Sequence, residues 1–300
     1  MFKRYHPLDA MVYPRFEGLR TFMRLPFVQD TGGTYRVGAR FGPSGIRQES
    51  MLLRPYNPAL KVNIFEHLSV VDYGDLPITP GYFYESHAQI TEGASKVLEA
   101  DVTPIFLGGD HSISWALLRA VAKKHGPVAL VHFDSHSDLW SGYFGGKDTH
   151  GTPFRRAVEE GLLDVQRSSQ IGLRGSLYGP EDAGITEELG MQMISGPELH
   201  EMGVKETLRR VLERVGTGPA YLSFDIDFVD PTFAPGTGTP EVGGFTGAQS
   251  QELLRGLAKV NFVAYDLVEV MPPYDVGGTT CLLAANLAYE MLSLIALNKR

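Results

Sequence analysis

Three short runs of the sequence gather acids and histidines. They are Gly108-Gly109-Asp110-His111-Ser112, Asp134-Ser135-His136-Ser137-Asp138 and Asp225-Ile226-Asp227, the last followed by Asp230-Pro231. Each follows an apolar run, TPIFL, PVALVHF and AYLSF in turn. Alternate residues of an extended chain point the same way, so Asp134, His136 and Asp138 are placed to converge, as are Asp225 and Asp227. Carboxylates packed together repel, and without a cation their pKa values have to rise steeply. Two divalent cations neutralise four carboxylates almost evenly. Two histidines among four aspartates form an oxygen-dominated set that suits Mn²⁺-like ions better than zinc. Two such ions ~3.5–4 Å apart can share a water and bring its pKa toward neutrality. Taken alone, an Asp-x-Asp is an ordinary loop or cap, and His111 could cap the helix that follows it. All three runs at the strand ends of one sheet point instead to a binuclear metal centre.

The elements that must position these residues follow from hydrophobic periodicity. Strand candidates are 68–72, 103–107, 127–133, 169–174, 191–194, 220–224 and 261–268. Helical patterns lie between them at 81–100, 112–125, 153–162, 181–190, 203–215 and 247–259, with a final helix from Thr279 to about Leu297. Near-continuous apolar strands joined by helices predict a three-layer α-β-α fold around a mainly parallel sheet, with function at the carboxyl ends of the strands. Before residue 67 the pattern is weaker. The Gly-rich stretch Thr31–Pro43 reads as turns and Ser44–Leu53 as a helix. The expected organisation is a single domain over 1–300, with 1–43 an N-terminal segment and loop.

With 43% hydrophobic and 21% charged residues, the 300-residue chain is not a disordered scaffold. A net charge of −8 without basic clusters argues against nucleic acid or an anionic membrane as partner. One cysteine, Cys281, excludes a disulfide framework and a cysteine-based zinc site. No 18-residue apolar stretch is read, and the first residues lack an apolar leader pattern, so a cytoplasmic setting is expected.

LGGDHSIS, LVHFDSHSD and SFDIDFVDPTFAPGTGTPEVGG, with GARFGPSGIR and DLVEVMPPYD, resemble in order and spacing the signature segments of the ureohydrolase (arginase–agmatinase) family. The resemblance implies metal ligands His111, Asp134, His136, Asp138, Asp225 and Asp227, the set that the carboxylate argument selects, with two Mn²⁺ per subunit. It implies that His150 is a proton shuttle and that Glu269 binds the substrate guanidinium. The residue chemistry agrees: imidazole titrates near neutrality, and a carboxylate can pair a guanidinium through two parallel hydrogen bonds. Otherwise His150 is a solvated loop residue and Glu269 an ordinary charge at a strand end. The implied reaction is hydrolysis of a guanidino compound to urea and a primary amine, Asp138 taking the nucleophile's proton and His150 helping to protonate the amine. Asp110 and His132 read as groups that orient ligands, and Pro235–Gly244 as a rigid loop walling the site.

For the substrate, arginases carry a small polar residue where this chain has Trp140, which disfavours an α-amino acid head. VEVMPPYD and HGTPFRRAVEEG are more similar to agmatinase and its relatives. Agmatine is therefore the expected substrate, with guanidinobutyrate, guanidinopropionate or a proclavaminate-type compound as alternatives. Arg155, Arg156 and Arg174 would favour an anionic tail, Glu181 and Asp182 a cationic one. Trp140, Tyr143 and Phe144 either shape the far end of the substrate or simply pack. A catalytically silent metal-binding paralogue would lose a ligand or the glutamate, and none is lost; a single-zinc deacetylase would need fewer acids. Relatives form trimers or hexamers, and the resemblance implies the same here.

One departure stands out. Relatives carry an apolar strand before the TGGTYR stretch, whereas here Arg24-Leu25-Pro26-Phe27-Val28-Gln29-Asp30 runs straight into Thr31. Seven strand candidates against the family's eight imply a missing first strand and a deletion near residues 30/31. Either the N-terminal segment Val12–Asp30 substitutes for that strand, or the chain carries a deletion that impairs folding and leaves the sheet with unpaired groups, less stable than in relatives.

Overall fold

The computed structural model describes residues 23–26, 30–142 and 145–299. Eight strands form one sheet: β1 (Met23–Pro26), β2 (Val71–Asp72), β3 (Ile105–Leu107), β4 (Ala129–Phe133), β5 (Ser169–Leu173), β6 (Gln192–Ser195), β7 (Ala220–Asp225) and β8 (Phe262–Val268). Their spatial order is β2-β1-β3-β8-β7-β4-β5-β6, and every described pairing in this sheet is parallel. A separate two-stranded antiparallel pair joins Tyr56–Asn57 to Val62–Asn63.

The central strands bury both faces, and alternation assigns each residue to a layer. Val131, Phe133, Leu222, Phe224, Tyr265 and Leu267 pack into one core with helices Gly196–Val215, Gly247–Gly256 and Thr279–Leu297. Leu130, Tyr221 and Ala264 pack into the other with helices Phe83–Glu99, Ile113–His125 and Pro153–Glu159. This is the expected three-layer α/β fold.

Three expectations change. The missing strand is supplied: Met23–Pro26 lies between β2 and β3, pairing Met23 with Val71 and Arg24 with Ile105. Arg24 and Pro26 interrupt the apolar run that would signal a strand, so its position came from tertiary pairing rather than pattern. Residues 12–22 and 27–29 of the same segment lie outside the described residues. The helix expected from residue 203 begins at Gly196, because Ser195 and Glu198 form a capping box, and it is broken at Gly203, where φ is 74°. The last helix, Thr279–Leu297, is long and apolar enough to cross a membrane, with a mean hydropathy of 1.6, contrary to the sequence reading. Yet 72% of that stretch is buried within the protein, as a core helix is.

Candidate active site

The site grows from four adjacent strands, β3, β8, β7 and β4. Asp225 ends β7 and Asp134 follows β4, so both lie where the ladder stops. Gly108 N–H donates to Leu267 O at 2.8 Å and Glu269 N–H to Gly109 O at 3.0 Å, continuing the β3–β8 ladder by one rung. Glu269 Oε1 then accepts from the backbone N–H of His111 at 2.8 Å. Asp138 (φ 53°) and Glu269 (φ 60°) both sit in the left-handed region, which disfavours side chains with a Cβ by about 1 kcal/mol or more each. Backbone strain thus falls on two of the residues singled out for chemistry.

All six candidate ligands converge. His111 Nδ1 stands 3.0 Å from Asp134 Oδ2, 3.0 Å from Asp138 Oδ2 and 3.1 Å from Asp225 Oδ2. His136 Nδ1 stands 3.1 Å from Asp227 Oδ2 and 3.5 Å from Asp134 Oδ1. Asp134 therefore turns one oxygen to each group, which divides the cluster into two neighbouring pockets sharing a carboxylate. Ser135 fixes Asp227 through its N–H and hydroxyl, at 3.0 and 2.7 Å. His111 Nδ1 and Asp227 Oδ2 are buried without a hydrogen-bond partner, the condition that a cation would relieve. Burial raises the Asp138 and Asp225 carboxyls, and the charge of Asp134 raises both further. Burial opposes the charged form of His111, yet its three carboxylates hold it well above the ordinary histidine range. A site that strains to keep protons on histidines and acids is chemically suited to exchange them for metal. His132, which with His111 and Asp134 forms one of two groups that could hold a metal ion, is already engaged at both ring nitrogens: Gln170 Nε2 donates to its Nδ1 at 2.9 Å, leaving Nε2–H to donate to Asp134 Oδ2 at 2.8 Å.

Beside the cluster, His150 is held between two partners, Glu269 Oε1 at 3.0 Å from its Nδ1 and Thr34 Oγ1 at 2.6 Å from its Nε2. Burial works against its charged form, but the Glu269 charge prevails and lifts the imidazole to about 9. Glu269 Oε2 is buried and unpartnered. A Cβ on Gly238 would lie 3.1 Å from that oxygen, so glycine keeps the space in front of it open. Asp110, pushed up to about 6 by burial and by Glu269, accepts from Gly32 N–H at 2.8 Å and so ties the Gly-rich loop to the site.

Thr34, His136, Asp138, Trp140, His150, Asp225 and Thr239 line a small pocket over the cluster. It adjoins a cavity of about 460 Å³ that includes Tyr35, Arg36, Trp140, Tyr178 and Glu241. Trp140 lies against Gly151, where a Cβ would come within 2.8 Å of the indole. Of the charges proposed to read the tail, Arg174 is taken up by the carbonyls of Gly172, Asp227, Glu241 and Val242. Arg156 is buried against Glu159 and Ser141 O. Arg155, Glu181 and Asp182 line a further cavity of about 600 Å³ on the other side of Trp140. Tyr143 and Phe144 lie outside the described residues. Thr34 and Arg36 are missed by sequence reasoning as pocket residues; nothing in their spacing marks them. The expected wall, Pro235–Gly244, is in place through Thr239 and Glu241.

A parallel sheet whose neighbouring strand ends gather histidines and carboxylates under a small pocket, with buried Glu269 bonded to the His150 that lines it, suits a metal-dependent hydrolase. The Arginase family model matches residues 22–293, and the chain belongs to that family, whose members hydrolyse C–N bonds in linear amidines and depend on metal. It is 45% identical to guanidinopropionase of Pseudomonas aeruginosa over 97% of this chain and 96% of that protein. It is 46% identical to mitochondrial agmatinase of Gallus gallus over 93% of this chain and 82% of that one. The solved proclavaminate amidino hydrolase of Streptomyces clavuligerus superposes with a TM-score of 0.89, at 39% identity and 92% coverage of each chain.

Proposed function

We propose that the protein hydrolyses a short guanidino compound to urea and a primary amine, with two Mn²⁺ held by His111, Asp134, His136, Asp138, Asp225 and Asp227. The observation that carries this reading is the unpartnered, buried Oε2 of Glu269 beside a carboxylate cluster divided around Asp134. Bound there, the metal supplies a water acidic enough to attack at neutral pH. Glu269 presents Oε2 to a guanidinium N–H and orients the planar group above the cluster. Its Oε1 keeps His150 protonated, so that imidazole can give a proton to the departing amine. Asp138, whose carboxylate lies in the cluster 3.0 Å from His111 Nδ1, receives the proton of the attacking water. Trp140 lines the pocket over the cluster. The family's usual trimer or hexamer and a cytoplasmic setting are part of the same proposal.

Agmatine is the first reading for the substrate, resting on VEVMPPYD and HGTPFRRAVEEG and on the identity with an agmatinase. A second reading, an ω-guanidino acid, is favoured by Arg36 in the cavity next to the reaction pocket. Urea release from Mn²⁺-loaded protein, measured with agmatine, guanidinobutyrate, guanidinopropionate and arginine, separates them. If Arg36 reads a carboxylate, Arg36→Ala raises KM for guanidinobutyrate at least tenfold and leaves agmatine unchanged. Arginine as the best substrate would overturn the argument from Trp140.

A further inference from the structure

A second polar row lies one step below the candidate ligands, on the same face of the sheet. His132 on β4 pairs in register with Ser223 on β7, and Ser223 with Asp266 on β8. All three are fully buried. Asp266 accepts from three hydroxyls: Ser223 Oγ on Oδ1, and Ser114 Oγ and Tyr221 OH on Oδ2, each at 2.6 Å. A serine hydroxyl has one proton. Spending it on Asp266 leaves Ser223 Oγ only its lone pairs for His111 Nε2, 2.8 Å away. In the neutral form that could bind a cation, His111 therefore has to carry its proton on Nε2, leaving the Nδ1 lone pair for whatever cation the three carboxylates hold.

We propose that Asp266 is a positioning residue for the metal centre, fixing the ring orientation and tautomer of His111 through Ser223. The inference rests on the reading of His111 as a ligand. Among the described residues, Ser223 Oγ is the hydrogen-bond partner of His111 Nε2, and the acid behind it lines neither the ligand cluster nor the pocket above it. Ser114 and Tyr221 have a separate part, filling Oδ2 so that Oδ1 remains with Ser223.

The test compares Asp266→Asn, Ser223→Ala and Tyr221→Phe in the full chain. Mn²⁺ affinity is read from the EPR signal of free Mn²⁺, and the imidazole N–H of His111 from ¹H–¹⁵N spectra of metal-free protein. Wild type is expected to show a slowly exchanging Nε2–H. Ser223→Ala should lose that signal and Asp266→Asn should shift it, with Mn²⁺ affinity falling 10–100-fold in both. Tyr221→Phe, which keeps the Ser223 link, should stay within threefold of wild type. Ser223→Ala leaves Asp266 satisfied by two hydroxyls and so keeps the test open if Asp266→Asn does not fold. Wild-type affinity and an unchanged Nε2–H in folded Ser223→Ala would overturn the proposal, as would an equal loss in Tyr221→Phe, which would mark the row as merely structural. Wild type that takes up no Mn²⁺ would instead overturn the metal reading, while the Nε2–H signal would still test the link through Ser223.

Discussion

His150 Nδ1 lies 3.0 Å from Glu269 Oε1, and both side chains are buried. A raised imidazole pKa is a stability statement. His150 titrates at about 9 in the folded chain against ~6.5 unfolded, so the pair stabilises fully below pH ~6.5 and loses this contribution as pH rises through about 9. In metal-free Glu269→Gln, NMR titration should find His150 lowered by more than one pH unit, and the fall in stability between pH ~6.5 and 9 should flatten. An unchanged His150 titration would remove Glu269 as its cause.

Metal should stabilise the fold strongly. Ligand present at a hundred times its Kd adds about 2.7 kcal/mol. Calorimetry is expected to show Tm rising with Mn²⁺ and returning to the metal-free value with chelator. Because Asp134 faces both halves of the cluster, Asp134→Asn should depress uptake at both, whereas Asp227→Asn should spare one. Equal stoichiometry in the two variants would contradict the shared-carboxylate geometry.

Strand β1 predicts a stability effect far from the chemistry. Removing residues 1–26 strips the partner of β2 and β3. Each buried backbone group left unpaired is worth about 1–3 kcal/mol, against a total stability of about 5–15 kcal/mol. Urea denaturation should show a midpoint collapse or no cooperative transition. A truncated chain with the wild-type midpoint would mean that those rungs contribute nothing.

The capping box at Ser195 offers a milder change. Its Oγ accepts from Glu198 N–H at 3.4 Å while Glu198 Oε2 takes the Ser195 N–H at 2.9 Å. Ser195→Ala should destabilise by about 1 kcal/mol, lower Tm by a few degrees and leave urea release intact.

Much of the site was legible because its chemistry is local in sequence. Asp134, His136 and Asp138 lie within five residues, Asp225 and Asp227 within three, and apolar strands announce where each run must end. Asp266 could have been found the same way, as a lone acid inside the apolar run VAYDLV that demands buried partners. Thr34 and Arg36 could not. They reach the pocket on a loop held by Asp110 through Gly32 N–H and by Gly32 O on the His150 N–H, at 2.8 and 3.1 Å, contacts spanning more than seventy residues. Strand β1 was hidden for a related reason: with Arg24 and Pro26 in four residues, its place is dictated by the two open ladders beside it.

The position of β8 bears on how this molecule is born. Phe262–Val268 follows the other seven strands of the sheet in chain order, yet it lies between β3 and β7 in the middle of the sheet. Until it emerges from the ribosome, the two halves of the sheet have no shared rung, and both Glu269 and Asp266 are absent from the centre. Folding must therefore wait on non-local pairing, which is slow. A ribosome stalled before residue 262 would display every candidate metal ligand and still hold no finished site.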